Sequence, residues 1–590
     1  MRIGYFKHWF QPPYSFITFL REELKLDVVE INFRKRGYLD DIDVAIIEQN
    51  GFNDFIENDE LYFREFVHRG GICLFMHQDY RRWAKYFLPE GIGYPILVNR
   101  YVDTISYNGF STCKSYMMPI VEPAGEALFS IPEKINPEDM LFWKLRTNSF
   151  EKYTRGNEDK EAETVMTTAI SCAINCQGWE VLGSYQDPVI SEGALVLQAH
   201  YGKGLYFINQ ILFPETLDCT SEAVFSFWRK YVKNLLAHFE RHMKGEAAVL
   251  PPKPPKKLAL KRNYRAAIHL HALEWYGADN SLGVIQALMR SQKFDIATIA
   301  IKDAIPYGGK LDLERYSDDK VILLHGQEYH PFQWTEVNAK CGTHNAYHML
   351  AMGIDADAYT PEFTRSMFST EDALAYVKKA IDFVHQHGGA VCATHPYFDY
   401  WKNFDYDGAD HEPITPLAGT DYEKAYVEGK RFAIMNSVDM WGVQRLLDNP
   451  AANFVYVKGE VDRDSFVAAV RAGHVIAACY FMEADIALGN AIPGDEVKIS
   501  DAQHGVVRVH AVASEGVKCV QVRVYSSDKL IGCIDVDAQT IDVELPLEGK
   551  YLDKFVRVEV EGEHLVAKQV GKVFQPLALS TPFYLVKDCK

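Results

Sequence analysis

The stretch Ala266-Ala-Ile-His-Leu-His271 decides the fold of the central region, because a short apolar run ends there in two histidines. Small and β-branched residues lead into His269 and His271, a pattern that predicts a strand. Side chains at i and i+2 of a strand lie on the same face, so both imidazoles can reach one metal ion. Two unrelated histidines produce the same H-x-H pattern, so its meaning depends on the strands that follow.

Strand-like and helix-like segments alternate from residue 264 to about residue 478, and residues able to bind metal follow the strands. This alternation predicts a β/α barrel, in which catalytic groups gather at the carboxyl ends of the strands. Three such residues follow predicted strands: Asp303 after Asp295–Ile301, Glu328 after Lys320–Leu324, and His395 after Gly389–Thr394.

Each of these residues also has a structural interpretation. Asp303 is suited to capping the next element, Glu328 to a solvated loop, and His395 to a turn before a proline. A helix predicted at Asn345–Met352 would place His344 and His348 on one face at i and i+4. The joint pattern favours a metal site over five separate structural roles.

The first 245 residues predict a separate α/β unit. Strands and amphipathic helices alternate there in a βαβ rhythm, which is typical of a mostly parallel sheet. A helix predicted at Ser221–Met243 has aromatic residues at helical spacing, and we interpret them as core. The segment Pro251-Pro-Lys-Pro-Pro-Lys-Lys257 cannot pack and predicts a semi-rigid linker. The predicted segments are the strands Arg2–Phe6, Asp27–Asn32, Asp43–Glu48 and Gly71–Met76, the helices Ser15–Leu24 and Glu60–His68, and a hairpin of Ala194–Ala199 and Gly204–Asn209.

Composition limits the classes of partner. The formal charge of −18 argues against a broad nucleic-acid interface, which requires a basic surface. We see neither a signal peptide nor an apolar run near the roughly 18 residues that span a bilayer. Eleven scattered cysteines predict reduced thiols in the cytoplasm. We therefore expect no nucleic-acid or membrane partner, and we leave homo-oligomer formation open.

The motifs of the central region resemble those of the PHP family of metal-dependent hydrolases, in particular its CehA/McbA-like branch. The family's H-x-H matches His269 and His271, its G-x-E glutamate matches Gly326-Gln-Glu328, and its H-P pair matches His395-Pro396. Three weaker matches complete the resemblance: an acidic loop residue at Asp279, the T-D-H aspartate in Lys302-Asp303-Ala304, and the G-H element in His348-Met-Leu-Ala-Met-Gly353.

Two family histidines are replaced in this chain. Ala304 stands where T-D-H has its histidine, and Trp441 stands where the last motif, S-D-x-H, has another. Ser437-Val-Asp439 occupies the start of that last motif, and Asp410-His411 is a weaker substitute. By resemblance, the metal ligands are His269, His271, Asp303, Glu328, His348, His395 and Asp439, and Asp303, Glu328 and His348 would also act in catalysis.

The N-terminal half resembles the class I glutamine-amidotransferase-like, trehalose-utilisation-type domain, which has a flavodoxin-like fold. The resemblance rests on Gly70-Gly-Ile-Cys-Leu-Phe-Met-His77 and on the segment from Gly193 to Phe207. An amidotransferase nucleophile needs a cysteine on a tight turn after a strand, whereas Cys73 lies within its predicted strand. We therefore predict a buried structural thiol and no catalytic centre in this half.

The predicted fold class is a multidomain α/β protein with four segments. The segments are a flavodoxin-like domain at 1–245, a linker at 246–263, a PHP-type β/α barrel at 264–482 and a β-sandwich at 483–590. In the sandwich, strands are predicted at Val506–Ala513, Val517–Ser526, Gln539–Leu547 and Phe555–Val560, with a terminal strand in Pro576–Tyr584.

Two functional hypotheses follow. The first is a hydrolase that uses one to three divalent ions of zinc, manganese or iron to cleave a phosphoester, ester or carbamate bond in a small, for example sugar-derived, molecule. The second is a degenerate barrel that binds a ligand without turnover, which the replacements at Ala304 and Trp441 favour. Trp441 is also suited to stacking on a sugar ring, although core packing is the simpler interpretation.

Overall fold

The fold is taken from a computed structural model, in which two compact units divide the chain at Lys253 and Pro254. No helix in the described part of the chain is long and apolar enough to cross a membrane. The structure describes residues 1–7, 15–32, 37–48, 59–76, 87–95, 97–98, 105–107, 110–112, 120–140, 149–155, 158–164, 171–173, 176–185, 193–211, 213, 222–272, 282–302, 312–329, 348–354, 370–394, 396, 399–437, 439–440, 443–565 and 574–588.

Unit 1 is a mixed α/β unit built on one large sheet. Its strands are β1 Ile3–Phe6, β2 Val28–Glu30, β3 Val44–Ile47, β4 Ile72–Phe75, β5 Leu97–Val98, β6 Ile105–Tyr107, β7 Phe110–Thr112, β8 Ile120–Val121, β9 Ser149–Arg155, β10 Glu158–Thr164, β11 Ser171–Ala173, β12 Glu180–Tyr185, β13 Gly193–Tyr201 and β14 Gly204–Asn209. Its α-helices are α1 Phe16–Thr18, which continues as a π-helix at Phe19–Glu23, α2 Asp59–Arg69 and α3 Glu222–Lys244. Two 3₁₀-helices lie at Pro123–Gly125 and Pro137–Met140.

The parallel part of this sheet runs in the order β2-β1-β3-β4-β14. The order β2-β1-β3-β4 is that of the first four strands of a flavodoxin-like sheet, and the flavodoxin-like assignment itself stays a prediction. The ends of the predicted strands and helices of this part lie within two residues of the observed ends. Cys73 lies inside β4 and is buried, as predicted, and burial raises the pKa of its thiol. Such a thiol is a poor nucleophile.

Unit 2 contains the motif residues and is also mixed α/β. Its strands are β15 Tyr264–Leu270, β16 Ile296–Lys302, β17 Ile322–Tyr329, β18 Met349–Met352, β19 Ala390–Ala393, β20 Gly408–Asp410, β21 Ala433–Met435, β22 Ala451–Val455, β23 Val475–Cys479, β24 Phe481–Leu488, β25 Glu496–Lys498, β26 Val506–Ala513, β27 Val517–Ser526, β28 Lys529–Ala538, β29 Thr540–Pro546, β30 Phe555–His564, β31 Leu577–Ser580 and β32 Phe583–Val586. Its helices are α4 Leu282–Ser291, α5 Thr370–Gln386, α6 Asp421–Val427, α7 Val443–Asp448, α8 Arg463–Arg471 and α9 Ile499–Gln503, with 3₁₀-helices at Asp399–Asn403 and Gly549–Tyr551.

The strand order of unit 2 is open rather than barrel-shaped. It runs β21-β20-β19-β18-β17-β16-β15-β22-β23-β31-β30-β27-β28, so the described strands do not form the predicted β/α barrel. Strand β18 pairs antiparallel with both of its neighbours, and β15 pairs antiparallel with β22, which interrupts the parallel pattern of a barrel. One isolated parallel bridge joins Leu270 to Met440 and so brings the chain beyond β21 to the end of β15.

The predicted C-terminal sandwich is not confirmed either. Strands β24, β26 and β29 form a small sheet, whereas β27, β28, β30 and β31 continue the large sheet through β23. The alternating sequences fit this arrangement equally well, because alternation does not specify which strands become neighbours. The predicted terminal strand is two strands, β31 and β32, and the sequence analysis missed β28.

The helix predicted at Asn345–Met352 is wrong in its described part. Residues Met349–Met352 form strand β18, which is buried at all four positions between β17 and β19. A short apolar run is compatible with either a buried helix or a buried strand, and here the sheet pairing decides.

Strand β15 is held from one side by a core that includes helix α8. Tyr264, Ala266 and Ile268 pack there with Val467 and Val470. Helix α8 begins with a capping box, in which the Asp462 carboxylate accepts a hydrogen bond from the Ser465 amide at 2.8 Å. Strand alternation then turns Arg265 to the other face of β15.

Candidate metal centre

Four of the predicted ligands converge at the ends of their strands. The ligand atoms of His269, His271, Glu328 and Asp439 all lie within 4.8 Å of one another. His269, His271 and Glu328 are almost fully buried, and the Asp439 side chain is 16% exposed. A buried cluster of two imidazoles and two carboxylates could hold a divalent metal ion, since buried carboxylates require a compensating charge.

The two histidines owe their positions to a bulge in β15. The pairing of β15 with β16 gains one extra residue between Ala267 and Leu270, and His269 has a left-handed backbone with φ of 63°. Bulges of this kind occur next to active sites, where they redirect side chains. Both Nε2 atoms then face the same two carboxylates.

Glu328 lies between the two histidines at the carboxyl end of β17. Its Oε1 lies 3.2 Å from His269 Nε2, and its Oε2 lies 3.3 Å from His271 Nε2. His348, which directly precedes β18, places Nδ1 2.9 Å from Oε1 of the same carboxylate. The antiparallel pairing of β17 with β18 therefore brings His348 to the cluster without the predicted helix.

Asp439 closes the cluster from a second strained position. Its Oδ1 lies 3.3 Å from His269 Nε2 and 3.1 Å from His271 Nε2, and its φ is 45°. The next residue makes two backbone hydrogen bonds to the histidine segment: the Met440 amide donates to His269 O at 2.9 Å, and the His271 amide donates to Met440 O at 3.0 Å. These bonds fix Asp439 relative to both histidines.

The imidazole of His271 is oriented by the neighbouring strand. Its Nδ1 lies 3.0 Å from the Ala300 carbonyl oxygen, so Nδ1–H donates there and Nε2 faces the cluster. Such a hydrogen bond to the second nitrogen is typical of metal-binding histidines.

The charge of the cluster also acts on His271. Burial lowers its pKa, but the hydrogen bonds to Asp439 and Glu328 outweigh burial and raise the pKa to about 9. The side chain therefore holds a proton between the carboxylates in the metal-free protein, and a metal ion would displace it.

The spacing of the donor atoms fits a metal ion. Zinc binds nitrogen and oxygen ligands at about 2.0–2.1 Å, so neighbouring ligands of a tetrahedron lie about 3.3 Å apart. The imidazole–carboxylate distances in the cluster are 3.1–3.3 Å, where His269 faces Oε1 and His271 faces Oε2 of Glu328. With one donor atom taken from each residue, the four atoms lie within 4.8 Å of one another. The donor set of two nitrogens and two oxygens suits zinc, manganese or iron.

Some predicted residues lie outside the described part of the chain. These are Asp303 and His395, which we expected as ligands, and also Asp279, His344, Ala304 and Trp441. The alternative Asp410-His411 is described and makes other contacts: Asp410 Oδ2 accepts from Ser437 Oγ at 2.6 Å, and His411 Nε2 lies 2.8 Å from Thr415 O.

The sequence analysis missed Arg445, which lies on helix α7. Its Nη1 donates to the Asp439 carbonyl oxygen at 3.0 Å and lies 3.7 Å from Asp439 Oδ2. Its Nη2 donates to Glu412 Oε1 at 3.0 Å. The spacing from Asp439 to Arg445 belongs to none of the recognised motifs, so no sequence signal pointed to it.

Comparison with known proteins adds no assignment. None of the family models matches the sequence, and no curated protein is significantly similar to it.

Proposed function

We propose that this chain is a metal-dependent hydrolase of the PHP type. One observation carries the proposal: His269, His271, Glu328 and Asp439, which come from three motifs far apart in the sequence, form one buried cluster. Their resemblance to the motifs of that family supports hydrolysis over other metal chemistry. The PHP-type assignment of unit 2 is part of this proposal.

In this proposal, the clustered residues have different roles in metal binding and in positioning. His269, His271, Glu328 and Asp439 would hold the metal, and His348 would position Glu328. By resemblance, Asp303 and His395 would extend the ligand set, for a total of one to three ions. A bound divalent metal polarises the substrate's oxygen and makes water a nucleophile near neutral pH. The substrate would be a small phosphoester, ester or carbamate.

The test compares metal content and hydrolysis in matched variants. His269→Asn removes one ligand, and asparagine tolerates the left-handed backbone at this position. His510→Asn is the control, because His510 also contacts two carboxylates, of Asp542 and Glu483, but is partly exposed and outside the cluster. Metal is measured by plasma mass spectrometry, and hydrolysis with nitrophenyl phosphate, phosphodiester and acetate substrates.

We expect at least one equivalent of metal and metal-dependent hydrolysis in the wild type and in His510→Asn, with both lost in His269→Asn. Bound metal without turnover of any substrate class would favour the alternative, a protein that binds a ligand at this site without catalysis. If the wild type takes up no metal after reloading with zinc, manganese or iron, the proposal is wrong.

A further inference from the structure

A second site is suggested by a cavity at the opposite end of β15. The cavity has a volume of about 900 Å³, and Arg265 lies in its wall near the start of the strand. Cavities of about 300–1,000 Å³ are typical of small-molecule sites. None of the four clustered metal-site residues lines it. His269 is four positions after Arg265, and along an extended strand this spacing corresponds to about 13 Å.

Arg265 is a buried cation with a fixed orientation. It is 3% exposed, and its Cζ lies 4.0 Å from the centre of the Phe294 ring. Its Nη1 donates to the Gln292 carbonyl oxygen at the end of helix α4. That helix ends in a Schellman motif, in which the Phe294 amide bonds to Met289 O at 2.8 Å and Lys293 is left-handed. The Gln292 carbonyl is thereby turned toward the arginine.

The remaining edge of the guanidinium has no acceptor. Among the described residues, neither Nε nor Nη2 of Arg265 has a hydrogen-bond partner, and both atoms are buried. These two nitrogens form one side of the planar fork that binds two oxygens of a carboxylate or phosphate. Burial lowers the pKa of Arg265 and Asp295 raises it, to a balance of about 10, so the side chain is charged at neutral pH.

Two of the acidic side chains on the wall, Asp295 and Asp485, pair with other cations. Asp295 contacts Lys261 Nζ at 2.6 Å and accepts from the Arg265 backbone amide at 3.0 Å. Asp485 contacts Arg262 Nε at 2.6 Å. Asp295 attracts the Arg265 guanidinium electrostatically but accepts no hydrogen bond from its Nε or Nη2, so these two donors can still bind an external anion.

We propose that this cavity binds a small molecule through an oxyanion, held by Nε and Nη2 of Arg265. Because both nitrogens are covered, binding includes a small rearrangement of side chains on the wall, which is common at binding sites. The ligand's oxyanion is a carboxylate or a phosphate, which offer the same pair of oxygens to the fork. The site is independent of the metal centre.

The experiment uses the full-length protein and two simple probes. Inorganic phosphate and succinate are titrated by calorimetry and thermal unfolding, with chloride at equal ionic strength as the reference. Arg265→Met removes the fork, and Arg265→Lys keeps the charge but loses the second donor. Arg262→Met is the control, because Arg262 lines the same cavity and is paired with Asp485.

We expect phosphate or succinate to raise the unfolding temperature of the wild type and of Arg262→Met. Loss of one charge-assisted hydrogen bond should weaken binding about tenfold in Arg265→Lys, and Arg265→Met should show no shift. Response to only one probe identifies the type of oxyanion. An equal response in Arg265→Met, or none to either probe in the wild type, would overturn the proposal.

A direct measurement covers the case in which Arg265→Met does not fold. Crystals of the wild type soaked in selenate should show an anomalous peak beside Nε and Nη2. A peak elsewhere in the cavity, or none, would count against the site.

Discussion

Replacement of Arg445 by methionine tests whether the metal centre depends on a residue outside it. Arg445 donates to the Asp439 carbonyl oxygen at 3.0 Å and to Glu412 Oε1 at 3.0 Å. Asp439 needs such support, because its left-handed backbone costs about 1–3 kcal/mol for a residue other than glycine. Arg445→Met keeps most of the side-chain length but removes both hydrogen bonds.

The expected magnitude follows from these contacts. A hydrogen bond to a charged group contributes about 1.5–3 kcal/mol, and the low end applies because the Arg445 side chain is 33% exposed. Two such bonds give a loss of about 3 kcal/mol in the free energy of unfolding. Loss of a residue that supports a ligand typically weakens metal affinity 10- to 100-fold. Arg445→Lys retains the charge but not the two-pronged guanidinium, so its stability and metal affinity should lie between those of the wild type and those of Arg445→Met.

Metal affinity is measured by competition with a fluorescent chelator, and stability by urea unfolding of the metal-free protein. Arg431→Met is the matched control: Arg431 contacts Glu496 at 2.7 Å, both side chains are more than half exposed, and neither belongs to the cluster. We expect this control to lose less than about 1 kcal/mol and to keep its metal affinity. Unchanged metal affinity in Arg445→Met, or an equal loss in Arg431→Met, would refute the reasoning.

Three further predictions concern packing, metal and pH. Gly326→Ala should lower the free energy of unfolding by about 1–3 kcal/mol and reduce metal content, because the added Cβ would lie 2.7 Å from Thr298 Cγ2 and 2.9 Å from Ala351 O. Gly283→Ala in α4 is the control, because the atom nearest to its added Cβ is 3.5 Å away. Both variants are measured by unfolding and by metal analysis. Removal of metal by a chelator should speed hydrogen exchange in β15 but not in β4, because up to about 4 kcal/mol of stabilisation by the bound ion is lost. Equal exchange of β15 with and without chelator would contradict a metal in unit 2. Burial lowers the pKa of His238 to about 4, from 6.5. Since the unfolded chain therefore binds the proton more readily, stability should fall by up to about 3 kcal/mol between pH 6.5 and pH 4; His238→Gln should flatten this dependence in urea unfolding, and an unchanged slope would exclude His238 as its source.

The positions of the clustered residues at strand ends were predictable because the strands themselves were. Runs such as Ile296–Lys302 and Tyr264–Leu270 are apolar, and β15 is buried along its whole length. Their ends therefore mark where polar side chains can meet. His269, His271 and Glu328 followed from this reasoning, whereas Asp439 needed the family resemblance, since its motif lacks the usual histidine.

The order and direction of the strands in the sheet were not predictable in the same way. Periodicity describes which face of a strand is buried, but it does not record the neighbour or its direction. The antiparallel insertion of β18 between β17 and β19 is such a choice between neighbours. The same pairing places His348 beside Glu328, whereas the helix predicted over this segment is wrong in its described part.

The strained backbone of the metal centre had no sequence signal at all. Histidine and aspartate adopt φ above zero only occasionally, so the residue types at positions 269 and 439 do not predict the left-handed conformations observed there. Each strained residue is adjacent to the isolated bridge between Leu270 and Met440, whose two hydrogen bonds measure 2.9 and 3.0 Å. The bridge stabilises both conformations together, so a change that breaks it should release His269 and Asp439 at once. The backbone conformations of two of the four clustered residues, His269 and Asp439, are therefore held by this one bridge.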